Sequence, residues 1–318
     1  MKEHKGVTAL LRTAERERRC AIGKAGDAIY HALRRRVKAL EVVSPYPNLF
    51  ADVLYWNNLD PEERSLHVIR SLAQHHPRWT FAGLSAACVY GYQHSYALHD
   101  GSVSIASPKG SGHGVAKQLR RLYMHKIPRR RFHGIPVTSP ARTLIDCAAI
   151  PFADALAIYD SALRNGHVTI ADVETLMIQI ACDEAAVAKL LKHANPLREN
   201  GGESWTYAHI IGLGYAEPSF QAEFANPETP SMPYRVDFCW RLADGRVIVG
   251  EYDGMAKYAD TSNPNRASLQ AKLDYEHRRE HALKSQGVTA VTHLFYEDVK
   301  DSARLDAKLA GAGVPRIR

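Results

Sequence analysis

The segments YRVDFCW at 234–240 and RVIVGEYDG at 246–254 decide how the C-terminal third of this chain folds. Each is a short run of apolar and β-branched residues bounded by Pro, Asn, Asp or Gly, the pattern of a buried strand. Asp244-Gly245 between them is a hairpin signal. Acids interrupt both runs: Asp237 sits between Val236 and Phe238, and Glu251 and Asp253 end the run of Val, Ile and Val. With a side-chain period of two, Glu251 and Asp253 share a face of their strand, and hairpin pairing can bring Asp237 alongside them. Three carboxylates that close repel one another and hold protons unless a cation sits among them. A hard divalent ion, Mg²⁺ or Mn²⁺, takes oxygen ligands and activates water at a phosphate, so the pattern points to that chemistry.

Working outward, 318 residues exceed one comfortable core and favour two or three domains. The boundaries expected are a head at 1–58, a middle α/β domain at 59–195 and a last domain at 196–318, entered through the Asn-, Pro- and Gly-rich NPLRENGG at 195–202. The balance of 41 Lys+Arg against 34 Asp+Glu suits a polyanionic partner such as DNA, although +7 over this length is modest. Cysteines at 20, 88, 147, 182 and 239 are scattered, with no CxxC spacing to suggest zinc, and fit free thiols in a reducing cytoplasm. The charged N-terminal sequence does not read as a signal peptide, and no apolar run approaches a membrane span.

In the head, helices are expected over 5–20 and near 25–40, followed by a short strand, a Pro-rich turn and Leu49-Phe50-Ala51. A basic helix followed by a two-stranded wing resembles a winged helix-turn-helix. Arg34, Arg35, Arg36 and Lys38 would then be its DNA-facing charges, though any surface helix can hold four basic residues. In the middle region LDPEERSLHVIRSLAQHHP has the Asp-Pro start of a helix, and strands are expected at 102–107 and 121–126. Pro140 opens another helix. Arg129, Arg130 and Arg131 form a candidate phosphate-contact loop, with a plain solvated loop as the alternative. Two more helices are expected between 169 and 194.

Over residues 20–180 the succession LDPEER, SAA…YG, HGIPVTSPARTLIDCA and ALAIYDSALRNG resembles the antitoxins of AbiE-type (type IV) toxin-antitoxin systems. That resemblance implies a winged-helix DNA-binding head, an antitoxin-like α/β domain, promoter autoregulation and a nucleotidyltransferase-like toxin as partner. The last domain reads helix, three antiparallel strands, helix, strand, the final strand reached by a crossover. Val236-Asp-Phe238, Glu251-Tyr-Asp253-Gly254, Arg279…Leu283 and Gly287 resemble the DUF559 and very-short-patch-repair relatives of the PD-(D/E)XK nucleases. The resemblance implies an αβββαβ core in a multi-domain α/β chain and Mg²⁺-dependent hydrolysis of DNA phosphodiesters. In that reading Asp237 and Glu251 hold the ion, and Asp253 is a further ligand or orients water. Glu203 approaches from the first helix, and Gln221 aims its amide at the same place. The position two after Glu251 is Asp253 rather than lysine. Lys257 is then the expected cation for the developing charge, with Arg279 or Lys272 next. The alternative function is a non-catalytic antitoxin or repressor on the same scaffold.

Overall fold

The computed structural model describes residues 4–110, 112–113, 118–254 and 266–317. The chain is a mixed α/β protein of two compact units. Unit 1 comprises Met1–Ile150 with Asn165–Lys192, and unit 2 Pro151–Arg164 with His193–Arg318.

Unit 1 begins with α1 (Lys5–Arg16), β1 (Ala21–Ile22), α2 (Ala28–Lys38), β2 (Val42–Tyr46) and β3 (Leu49–Asp52). His4 caps α1 by accepting the Val7 N–H, and Asp27 caps α2 through the Ile29 N–H. The helical period puts Val7, Leu11 and Ala14 on one side of α1, where they meet Ala32 and Leu33 of α2 and Phe50 of β3. The strands form a small antiparallel sheet ordered β1-β3-β2, turned at Asn48 in the left-handed region (φ 63°). The first helix stops at Arg16 rather than near 20 because Arg18 leaves helical geometry with φ 50°.

The chain continues through α3 (Val53–Asn57), α4 (Pro61–His75) and α5 (Gly83–Tyr90). Asp60 caps α4 and Pro61 occupies its first turn, where a missing N–H costs nothing. Strands β4 (Val103–Ser107), β5 (Gly112–His113) and β6 (Leu119–Tyr123) form a sheet ordered β4-β6-β5, with β4 and β6 parallel. The arginine segment is a hairpin rather than a loop: β7 (Arg129–Phe132) pairs with β8 (Ile135–Thr138) through His133 and Gly134, both at positive φ. Helix α6 (Pro140–Cys147) follows, capped by Ser139.

Helix α7 (Phe152–Arg164) belongs to unit 2, whereas α8 (Ile170–Met177), held by a Thr169/Asp172 capping box, and most of α9 (Glu184–His193) return to unit 1. Unit 2 then runs α10 (Gly201–Gly212), β9 (Ser219–Phe224), β10 (Tyr234–Arg241), β11 (Val247–Asp253), α11 (Arg266–Ser285) and β12 (Val288–Phe295). It closes with α12 (Tyr296–Lys300) and α13 (Ser302–Ala312). Its sheet is ordered β12-β11-β10-β9, antiparallel except for the parallel β11–β12 pair that α11 connects. Ala282 and Leu283 of α11 pack with Val236, Cys239, Val249 and Val288.

The stretch 195–202 is structural rather than a slack linker. Arg198 is fully buried, forms two bonds to Asp160 of α7 (2.6 and 2.8 Å), and lies over the Tyr207 and Phe220 rings. Gly201 and Gly202 are the first residues of α10, with Asn200 as the cap. A Cβ on Gly202 would lie 2.0 Å from the Tyr252 ring, so glycine there permits the close approach of α10 to β11.

Candidate functional site

The β10–β11 ladder runs from Phe238↔Gly250 to Arg241↔Val247, which carries Asp237 to the position beside Glu251. At Asp237 a side chain takes over from the ladder: its Oδ2 accepts the Tyr252 N–H at 2.7 Å. The β9–β10 ladder pairs Val236 with Ala222 and resumes at Phe238↔Phe220. Between them Gln221 has φ 52°, a left-handed conformation that strains a non-glycine residue in a strand. Its amide Nε2 lies 3.2 Å from Glu203 Oε2 and 3.4 Å from Asp237 Oδ1, while its Oε1 accepts from Arg235 at 3.0 Å. Gln221 therefore bridges two acids with the one group that donates to both.

Glu203 occupies the first turn of α10 and is 3 % exposed. Its carboxylate accepts the Glu199 N–H at 2.8 Å and the Asn200 side-chain amide as well as Gln221. Burial, then the Asp237 charge, push the Glu203 carboxyl up to about 8 in spite of these donors. Burial also pushes Glu251 up to about 7, with Asp237 adding to the rise and Arg279 opposing it. Asp237 thus acts on both buried glutamates, and the three share one electrostatic environment.

Two basic side chains enter this end of the sheet. Arg279 of α11 donates to Glu251 Oε1 at 2.5 Å and to the Arg235 carbonyl at 2.7 Å. His293 of β12 bonds Asp253 at 2.8 Å, an interaction that raises the imidazole pKa. Parallel pairing sets His293 opposite Glu251, leaving it next to Asp253 on the same face. The Asp253 carboxylate thus has a basic neighbour in His293. Among the described residues, no three ligand atoms from Asp237, Glu251 and Asp253 come within 4.8 Å of one another, so these acids are not an assembled three-carboxylate metal set. Asp237 and Glu251 remain as a pair, with Glu203 reached through Gln221. Mg²⁺ ordinarily takes one or two carboxylates and keeps several waters, so the partly buried Asp237 beside the buried Glu251 suits it.

Lys257 lies outside the described residues, as does the side chain of Lys272. Arg279 is the described cation at the acids. Sequence reasoning passed over His293 because no metal-ligand spacing surrounds it. Its parallel strand order beside the Glu-x-Asp segment is the signal that could have found it.

In unit 1, Arg34, Arg35 and Lys38 are exposed on α2. Arg36 differs, being 8 % exposed, bonded to the Ala32 carbonyl and paired with Glu41, so it turns inward rather than toward a groove. Arg129, Arg130 and Arg131 are all exposed, but on a strand Arg130 faces away from the other two. Arg129 and Arg131 also donate to the Pro77 and Gly134 carbonyls, at 2.7 and 2.9 Å.

No protein-family model matches the chain, and none of the curated proteins does. Among solved structures, the crystal structure of the RV2827C protein from Mycobacterium tuberculosis is similar over 71 % of this chain and 90 % of that one. The identity is 18 % and the TM-score 0.38, a likeness too loose to support an argument about function. Among the described residues no helix is long and apolar enough to cross a membrane.

Proposed function

We propose that this chain is a DNA-binding protein whose unit 2 is a PD-(D/E)XK-type, restriction-endonuclease-like domain that hydrolyses DNA phosphodiester bonds. The observation that carries the reading is the action of Asp237 on two buried glutamates, Glu203 and Glu251, at one end of the sheet. Asp237 and Glu251 would hold Mg²⁺, or Mn²⁺, with Glu203 in reach of its waters; the ion would supply an activated water and positive charge at the phosphate. The protein's own contribution is positional. Gln221 orients Asp237 and Glu203 together, the Tyr252 N–H fixes the second Asp237 oxygen, and Arg279 brings a guanidinium to where charge builds during cleavage. Arg34, Arg35 and Lys38 form the exposed basic face of a winged-helix-like head that contacts DNA phosphates.

A second reading is favoured by a specific observation. Arg279 and His293 each bond one of the acids Glu251 and Asp253, protein partners that suit a non-catalytic AbiE-type antitoxin or promoter repressor that uses unit 2 as a docking platform. Plasmid nicking separates the two. The nuclease reading expects Mg²⁺-dependent nicking that falls at least about 100-fold in Asp237→Asn with Glu251→Gln. Equal rates in wild type and double variant, with metal-independent gel shifts of its own promoter, would leave the regulator.

A further inference from the structure

We infer that Cys88, His94 and His99 of unit 1 form a transition-metal site that takes one Zn²⁺ ion. It is separate from the acids of unit 2 and does not depend on the nuclease reading. Cys88 lies near the end of α5, and the other two residues flank the short 3₁₀ turn Tyr96–Leu98 that follows. Their ligand atoms lie within 4.8 Å of one another, the one such group among the described residues. Cys88 Sγ is 3.6 Å from His94 Nε2, which is 2.8 Å from His99 Nε2.

The tautomers follow from the outer partners. His94 Nδ1 faces the Tyr92 carbonyl at 2.5 Å, and since a carbonyl only accepts, Nδ1 carries the proton and Nε2 presents its lone pair. His99 Nδ1 faces the Ser65 hydroxyl at 2.8 Å, a group able to donate or accept. Without metal, His99 Nε2–H donates to His94 Nε2, and that proton occupies the place of the ion. With metal, the His99 proton resides on Nδ1 and donates to Ser65, Cys88 gives one proton to solvent, and Sγ and both Nε2 atoms become ligands. A carbonyl and a hydroxyl on the non-ligating nitrogens are the outer support that metal-binding histidines use.

The dimensions suit a tetrahedral ion. Bonds of about 2.3 Å to sulfur and about 2.0 Å to nitrogen put S···N near 3.6 Å and N···N near 3.4 Å, so the Cys88–His94 separation already fits and the two rings spread by roughly half an ångström. Soft sulfur with two imidazoles selects Zn²⁺ over Mg²⁺. A cavity of about 250 Å³ lined by Ser65, His99, Arg64, Tyr96 and Ser102 reaches the cluster at His99 and offers a route of entry.

Cobalt substitution of the full chain tests this, because Co²⁺ bound to thiolate gives a near-ultraviolet charge-transfer band. One Co²⁺ per chain with that band, displaced by stoichiometric Zn²⁺ and untouched by excess Mg²⁺, is expected. Cys88→Ser should remove the band, Cys182→Ser should keep it, and His99→Gln should weaken binding at least about 100-fold. His99 is partly exposed, so that variant keeps the test decisive should Cys88→Ser fail to fold. A wild type without the band, a band surviving Cys88→Ser, or unchanged affinity in His99→Gln would overturn the site.

Discussion

The acids of unit 2 and the Cys-His cluster of unit 1 solve opposite electrostatic problems. Glu203 and Glu251 are acids taken out of water beside the partly buried Asp237, and burial together with that neighbouring charge pushes their carboxyls up to about 8 and about 7. Cys88 as a thiol and His94 and His99 as neutral imidazoles carry no charge, and the two rings settle their contact by sharing one proton. A cation placed among the acids relieves repulsion; one placed among Cys88 and the histidines must displace protons. Hard and soft ions should therefore divide between the two units, Mg²⁺ to the second and Zn²⁺ to the first.

The sharpest way to break the comparison is to remove the frame that holds the acids. Asp160→Ala strands the fully buried Arg198 at the entrance to α10, and unit 2 should lose about 3–5 kcal/mol, read as a shifted denaturant midpoint, while Co²⁺ binding in unit 1 persists. The next effect is on pH dependence. Folded Glu203 and Glu251 keep protons in a window where the unfolded chain has lost them. Stability of unit 2 should then fall as pH rises from about 4.5 to about 8, by on the order of a few kcal/mol. Asp237→Asn should flatten that slope, and Mg²⁺ should release protons at pH 7; a slope unchanged by either would show that Asp237 does not govern the pair. Smallest is Gly202→Ala, whose methyl meets the Tyr252 ring and should cost about 1–3 kcal/mol in thermal or denaturant unfolding.

Much of unit 2 was legible because its signals are local. Apolar and β-branched runs and the Asp244-Gly245 turn mark the two strands, and period-two geometry puts Glu251 and Asp253 on one face. Of the partners of those acids, Arg279 stood in the sequence only as a second choice after Lys257, and His293 was passed over because its place beside Asp253 depends on the parallel pairing of two strands that a helix separates in the chain. Arg198 was hidden for a related reason: Asn, Pro and Gly around it mimic a linker, and only its distant pairing with Asp160 reveals a buried ion pair. In unit 1 the helix caps are plain in the sequence. The inward turn of Arg36 is not, because it depends on which face of α2 meets α1 and the small sheet. The Cys-His group escaped notice since its spacing matches no familiar ligand motif and Ser65, which completes it, lies far upstream.

Crystals grown with Mn²⁺ and measured for anomalous scattering put the acid pair to the most direct test. The account predicts a peak between Asp237 and Glu251, within reach of Glu203 through water. No peak there, with Arg279 still bonded to Glu251, would contradict it and leave unit 2 as a scaffold without a cation.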